Sequence, residues 1–168
     1  MTKTGNLILA AVVAVAIAFA AFAVLNARPA APQVTFVSLQ GEKITTESLR
    51  GKVVLVNFWA TDCVTCVKEM PEITATYNKY RARGFETIAV AMRHDPPNYV
   101  LNYAEKNKLP FTVALDPVGE LAKAFGEVKL TPTTFVIDRQ GKVVTRILGE
   151  PDFAKLHELI EKRLAESA

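Results

Sequence analysis

Cysteine is scarce in this chain, with Cys63 and Cys66 the only two among 168 residues. A tetrahedral structural zinc site cannot be completed by one such pair, and the two histidines, His94 and His157, lie far from it in sequence. An excess of one charge is also missing. The net charge is +3, and the 20 basic residues less Lys3 and Arg28, which precede the expected folded region, face 17 acidic ones. With no dense basic stripe, nucleic acid is not an expected partner. Internal repeats are absent, and the only low-complexity tract is alanine-rich and N-terminal. Half the residues are apolar and 22% are charged, a balance that supports a core without disulfides to compensate for small size. The length suits one ordinary domain plus an appendage.

The appendage is an apolar run. Leu7 to Leu25 reads LILAAVVAVAIAFAAFAVL, 19 residues without a charge or proline. As a helix rising about 1.5 Å per residue it reaches roughly 28 Å, close to the ~30 Å hydrocarbon core. The basic residue before it favours an inside N-terminus and an outside C-terminus. A cleaved secretory signal is the competing reading, since Ala21–Ala23 reads AFA, but the run is longer than a usual signal core. Both readings place the bulk of the chain outside the cytoplasm, where disulfides persist. The expected organisation is a cytoplasmic 1–6, an anchor over 7–25, a proline- and alanine-rich tether over 26–33, and one domain over 34–168.

Within that domain, VTFVSLQGEKIT reads as a hairpin turning at Gly41, followed by a short helical turn capped by Thr46 and stopped at Gly51. Val53–Ala60 is apolar almost throughout and predicts a central strand covered on both faces. A long helix is expected to begin near Cys63, with Val67, Met70, Thr74 and Tyr77 on one face, Pro71 as a kink, and Gly84 as the stop. FETIAVAM, NYVLNYAEKN, FTVALD and GELAKAFG continue as strand, helix, strand and helix, which predicts a largely parallel sheet. TTFVID and KVVTRIL then flank a turn, and Asp152 caps a final helix with Phe153, Leu156, Ile160 and Leu164 on one side. The fold class is α/β.

Cys63 thus opens a helix that follows a buried strand. A helix N-terminus offers unpaired N–H groups and the positive end of the dipole, both favouring thiolate. A shift from about 8.5 to about 7 needs only ~2 kcal/mol. Cys66, one turn later, can attack a mixed disulfide formed on Cys63 and release the partner reduced, which is dithiol exchange. A chance pair or half a zinc knuckle is the other reading of a lone CxxC.

VVLVNFWATDCVTCVKEMPEI, followed later by LTPTTFVIDRQGKVV, resembles the thioredoxin superfamily, and within it the membrane-anchored TlpA-like and ResA-like disulfide reductases. The likeness covers the chain from about Val34 onward, including an extra helix and strand in NYVLNYAEKNKLPFTVALD. It implies a thioredoxin fold, a central mixed sheet flanked by helices with an inserted helix-strand and an N-terminal hairpin. Cys63 is implied as the exposed attacking thiol, Cys66 as the buried resolving one, and Pro132 as a cis-proline set against the disulfide. Thr131 would offer its backbone to an extended substrate. Glu69 matches the acid of a CxxCxxE pattern; at 100° per residue it lies at −60° from Cys66 on the same side, placed to exchange a proton with a thiol.

Asp62 departs from the pattern, since most members of the family it resembles carry tryptophan before the first cysteine. As a helix cap it would occupy donors that otherwise face the Cys63 sulfur, and its charge disfavours a second anion. At ~7 Å and an effective dielectric of about 40 the repulsion is on the order of 1 kcal/mol, just under one pKa unit. The expectation is a raised Cys63 pKa and a more reducing couple. The reading of these residues against a plain cap or surface acid stays open, and loss of the tryptophan leaves the docking surface open too. Trp59 and Phe58 are expected in the core, His94 as a loop residue, and His157 without a role.

The resemblance implies an exported, membrane-tethered reductase facing the periplasm or outside from the inner membrane. It would be recharged by a membrane thiol-electron transporter, act on disulfide-bearing proteins such as those of cytochrome c maturation or copper-site assembly, between which no residue chooses, and need no cofactor beyond its Cys63–Cys66 disulfide. A copper-binding module is a second class, since two thiolates suit Cu(I), and a thiol peroxidase is a third.

Overall fold

The run Val53–Trp59 forms β3, the middle strand of the sheet, and its alternation decides what lies on each face. The computed structural model describes residues 11–19 and 28–166. A short hairpin comes first, β1 (Thr35–Val37) against β2 (Lys43–Thr45), then a 3-10 turn over Glu47–Leu49. After β3 come α1 (Val64–Tyr80), a second 3-10 turn (Arg81–Arg83), β4 (Phe85–Ala91), α2 (Pro97–Lys106) and β5 (Thr112–Leu115). The chain ends with α3 (Glu120–Ala124), β6 (Thr133–Ile137), β7 (Val143–Leu148) and α4 (Phe153–Leu164).

The five-stranded sheet has the order β5-β4-β3-β6-β7. Pairs β3–β4 and β4–β5 are parallel, whereas β3–β6 and β6–β7 are antiparallel. The sheet is therefore mixed. The expectation of a largely parallel sheet holds for the half whose strands are joined by helices; the terminal hairpin reverses the other half.

Odd positions of β3, Val53, Leu55 and Trp59, pack with Met70 and Ile73 of α1, Val100 of α2 and Ile160 of α4. Even positions, Val54, Val56 and Phe58, pack with Phe36 of the hairpin, Leu121 of α3 and Phe125. Such period-two alternation between two covered faces is what a continuous apolar run requires. Phe58 and Trp59 are both fully buried, as expected of core residues. Asn57 interrupts the run on the α1 face, and it too has no exposure.

Three expectations are corrected. On α1 the buried positions are Cys66, Glu69, Met70, Ile73, Thr76 and Tyr80, while Val67, Thr74 and Tyr77 are only half-buried. An apolar pattern misjudges the face because Glu69 and Thr76 belong to it. Thr46 precedes its 3-10 turn without making a side-chain cap. Its hydroxyl instead donates to the Pro32 carbonyl at 2.8 Å and accepts from the Val34 amide at 3.2 Å, closing the start of the hairpin. Asp62, finally, does not cap α1, as described below.

The hairpin also covers an open strand edge. Ser38 bridges Ala114 in antiparallel fashion, and the Leu39 amide donates to the Val113 carbonyl at 3.0 Å, so β5 does not end the sheet bare. Upstream, the proline- and alanine-rich stretch is docked from Arg28 on. Arg28 pairs with the buried Asp138 at 3.2 Å, and the Ala31 amide donates to Gly141 at 2.8 Å. Residues 11–19 are helical and exposed. The span Leu7–Leu25 as a whole lies outside the described residues, as does the 1–6 segment; among the described residues no helix is long and apolar enough to cross a membrane.

Candidate active site

Cys63 takes the N-cap position of α1 with an extended backbone, and its Sγ accepts a hydrogen bond from the Cys66 amide at 3.2 Å. Sulfur thus stands where a serine or aspartate oxygen usually accepts from the first turn. The same amide and the helix dipole stabilise negative charge on that sulfur when the bond to Cys66 is open. Cys63 and Cys66 form a disulfide with Cα atoms 5.2 Å apart. Cys66 has no exposure, while Cys63 is partly exposed. Only one of the two sulfurs is therefore open to a partner.

Asp62 is left outside this arrangement. Its side chain is 74% exposed, and its Oδ1 lies 3.6 Å from Nε2 of His94. The capping role expected of it belongs to Cys63, because the extended backbone that begins the helix falls one residue later. His94, expected as a plain loop residue, is brought beside the site by this pairing. One residue further on, Asp95 is 5% exposed and accepts from both the amide and the hydroxyl of Thr61, at 2.6 and 2.5 Å. Two neighbouring contacts, Thr61–Asp95 and Asp62–His94, therefore join the loop before Cys63 to the loop after β4.

Beneath the disulfide sits a buried polar cluster. Glu69 has no exposure, and one of its carboxylate oxygens accepts from Nδ2 of Asn57 at 2.9 Å. The same Asn57 amide donates to Oγ1 of Thr134 at 3.0 Å, which ties α1, β3 and β6 together. The second carboxylate oxygen, Oε2, is buried without a hydrogen-bond partner. Burial pushes the Glu69 carboxyl up to about 7, against the pull of the Asn57 hydrogen bond and with a smaller push from Glu150. Three positions apart on one helix face, Glu69 and Cys66 have Cβ atoms about 5–6 Å from each other. A carboxyl poised near neutrality can take a proton from that thiol or return it. Sequence reasoning puts Glu69 on the Cys66 side of the helix, where both are buried, but misses Asn57 and Thr134; the signal for Asn57 was a lone amide inside an apolar strand.

The titration of Glu69 makes folding pH-dependent. Its folded pKa of about 7 exceeds the ordinary 4.5, so the folded state binds the proton more tightly, and the stability it confers below pH 4.5 is lost as pH rises through 7. The full effect is on the order of 3 kcal/mol. Glu69→Gln is expected to match the wild type near pH 4 and to melt higher than it at pH 8. Thermal melts at both pH values check this, and a difference that does not grow with pH contradicts it.

The third side of the site is the turn before β6. The Thr131–Pro132 peptide bond is cis, as the likeness implied, and Pro132 is buried while Thr131 is partly exposed. The Thr133 hydroxyl donates to the Leu130 carbonyl at 2.7 Å, fixing this turn. Leu130 is 62% exposed and Val64, next to Cys63, 83%. His157 lies elsewhere, 2.8 Å from the Thr76 hydroxyl and packed on Tyr80. No group of three or more histidine, cysteine, aspartate or glutamate residues that could hold a metal is gathered among the described residues.

A family model described as Redoxin matches residues 26–160. The thiol-disulfide oxidoreductase ResA of Bacillus thuringiensis subsp. konkukian is 39% identical over 132 residues, covering 79% of this chain and 75% of the relative. ResA of Geobacillus thermodenitrificans is 37% identical over 119 residues, 71% of this chain and 67% of its own length. Among solved structures, a thiol:disulfide interchange protein of the thioredoxin family from Chlorobium tepidum superposes with a TM-score of 0.76 at 29% identity, covering 83% of this chain and 98% of that one.

Proposed function

The chain belongs to the redoxin family and is a thiol-disulfide oxidoreductase with Cys63 and Cys66 as its redox pair, and from that premise we propose that it works as an exported, membrane-tethered reductant of protein disulfides. The observation that carries the reductive direction is the pair of carboxylates around the dithiol: Asp62 directly before Cys63, and buried Glu69 below Cys66. A couple is a strong oxidant when its reduced, thiolate form is stabilised. Negative charge beside the sulfurs does the opposite, favouring the disulfide in the protein and hence electron donation to a partner.

In the reducing direction, the Cys63 thiolate attacks one sulfur of a substrate disulfide, the substrate S–S bond breaks, and one substrate thiolate leaves. Cys66 then passes its proton to Glu69, and its thiolate attacks Sγ of Cys63. The mixed disulfide breaks, the second substrate thiolate departs, and the Cys63–Cys66 bond forms. Two electrons have moved to the substrate, whose thiolates take protons from solvent and, in turn, from Glu69. The backbone of Thr131 beside cis-Pro132 lines up the extended substrate segment against Cys63.

Recharging requires a dithiol donor on the same side of the membrane, for which a membrane thiol-electron transporter is the suited class. The apolar run Leu7–Leu25 supports an inner-membrane anchor with the domain facing the periplasm or outside. The named relatives are thiol-disulfide oxidoreductases, which supports disulfide-bearing protein substrates. Among these, the proposed class is proteins of cytochrome c maturation, as the family likeness implies. The full chain is expected to reduce insulin with dithiothreitol as electron source, read as B-chain turbidity; turbidity no faster than with dithiothreitol alone overturns the reading.

The same account sets the Asp62 effect. Asp62→Asn is expected to lower the Cys63 pKa by just under one unit, from ~1 kcal/mol of repulsion removed. Thiolate absorbance titration of the reduced protein checks this, and an unchanged or higher value removes Asp62 from the tuning of the couple.

A further inference from the structure

A cleft of about 480 Å³ adjoins the redox centre without being part of it. Its rim carries Arg93 after β4, Lys123 on α3 and Lys129 on the segment that leads to Pro132, all three exposed. Among the described residues none of these three cations enters an ion pair. Two acids share the lining, Asp116 and Glu127. Asp116 is 3% exposed, and its two oxygens accept from the Leu121 and Ala122 amides at 3.1 and 2.9 Å, so its charge is spent inside the fold. Glu127 alone stands in solvent against the three cations. Three cations against one solvent-facing acid leave the lining with a positive balance that an anionic ligand complements.

Two attachments tie the cleft to the chemistry. His94 belongs to its lining and lies 3.6 Å from Asp62, the residue before Cys63. Lys129 is separated by Leu130 alone from Thr131, whose peptide bond to Pro132 is cis. A substrate strand lying between Cys63 and Thr131 therefore leaves the site over this cleft.

We infer that the cleft is a docking site for an acidic stretch of the protein substrate flanking its disulfide, with Arg93, Lys123 and Lys129 receiving its carboxylates. The inference rests on the oxidoreductase reading and adds to it a rule of substrate choice. Asp62 repels an acid placed directly at the attacked cysteine, so the preferred acids sit some residues away from it. The contacts are exposed and charged, so they act on encounter and binding more than on the chemical step, and they weaken with salt.

The test uses three disulfide-bonded peptides of one sequence, carrying aspartate, asparagine or lysine at three positions flanking the disulfide, reduced by the full chain. At low ionic strength kcat/KM is expected to be about tenfold higher for the aspartate than for the lysine peptide. The difference should lie mainly in KM and fall severalfold in 0.5 M salt, where the screening length is only a few Å. The double variant Lys123→Gln/Lys129→Gln should lose most of the aspartate preference. Equal kcat/KM values for the aspartate and lysine peptides, or a preference that the variant keeps, overturn the docking site while leaving the reductase reading intact. Failure of the wild type to reduce even the asparagine peptide overturns both.

Discussion

Cys66→Ala is expected to turn the protein from a catalyst into a trap. Cys63 keeps its place at the start of α1 and its partial exposure, so attack on a substrate disulfide still proceeds and one substrate thiol is released. Nothing then resolves the mixed disulfide, because the second sulfur has been removed. Turnover in the insulin assay, where dithiothreitol must cleave the adduct in place of Cys66, falls sharply. When the prereduced variant meets substrate without dithiothreitol, one substrate chain per protein molecule remains bound, visible as a mass shift that added dithiothreitol reverses. Cys63→Ala should lose turnover and the adduct together. An adduct forming in Cys63→Ala but not in Cys66→Ala would exchange the two roles. In cells, the trapped adduct identifies the substrate and so tests the cytochrome c maturation reading directly.

The second large effect concerns Glu69. The carboxyl is buried, its Oε2 has no partner, and its pKa of about 7 lies where the resolving step needs a base. Glu69→Gln keeps the shape and can still bond Asn57, but it carries no exchangeable carboxyl proton. Resolution is expected to slow on the order of 10²-fold, the usual scale for removing a positioned general base. The pH dependence is the sharper readout. In the wild type the Glu69 carboxylate must be free to accept the Cys66 proton, so resolution accelerates as pH rises through about 7 and then levels. In Glu69→Gln that rise is absent, while the initial attack by Cys63 proceeds at its former rate. Rapid-quench separation of the mixed disulfide from the free dithiol distinguishes the two steps. An unaltered pH profile would reduce Glu69 to a buried structural acid.

Much of this site was legible in the sequence. A buried strand running into CxxC at a helix start is a local signal, since both the apolar run and the cysteine spacing are contiguous. Pro132, distant in sequence, was legible only through the family likeness, because an X-Pro bond carries no local mark of its isomer. What was hidden depends on contacts across the fold. Asn57 reads as a blemish in an apolar strand until β6 brings Thr134 beside it and α1 brings Glu69. Asp95 and His94 are loop residues until β3 and β4 pair in parallel and set both strand ends side by side, against Thr61 and Asp62. The cap was misplaced by one residue because aspartate is the better cap by chemistry, whereas the backbone begins the helix after Cys63. The buried face of α1 was misjudged because two polar residues lie on it, Glu69 bonded to Asn57, and Thr76 bonded to the Glu72 carbonyl and to His157.

These relations also separate the functions that a CxxC pair alone allows. A copper carrier would keep both sulfurs reachable by metal, and a peroxidase would need no resolving sulfur one helical turn behind the first. The structure has one cysteine partly exposed and the other fully buried, three positions before the buried Glu69 on the same helix face. That asymmetry is the basis of sequential exchange.

Alkylation of the reduced, folded chain tests it most directly. Brief exposure to iodoacetamide near neutral pH, followed by peptide mapping, should find Cys63 modified at least about tenfold faster than Cys66, as thiolate character and access dictate. Modification of Cys66 first, or protection of both sulfurs until the protein unfolds, would contradict the account.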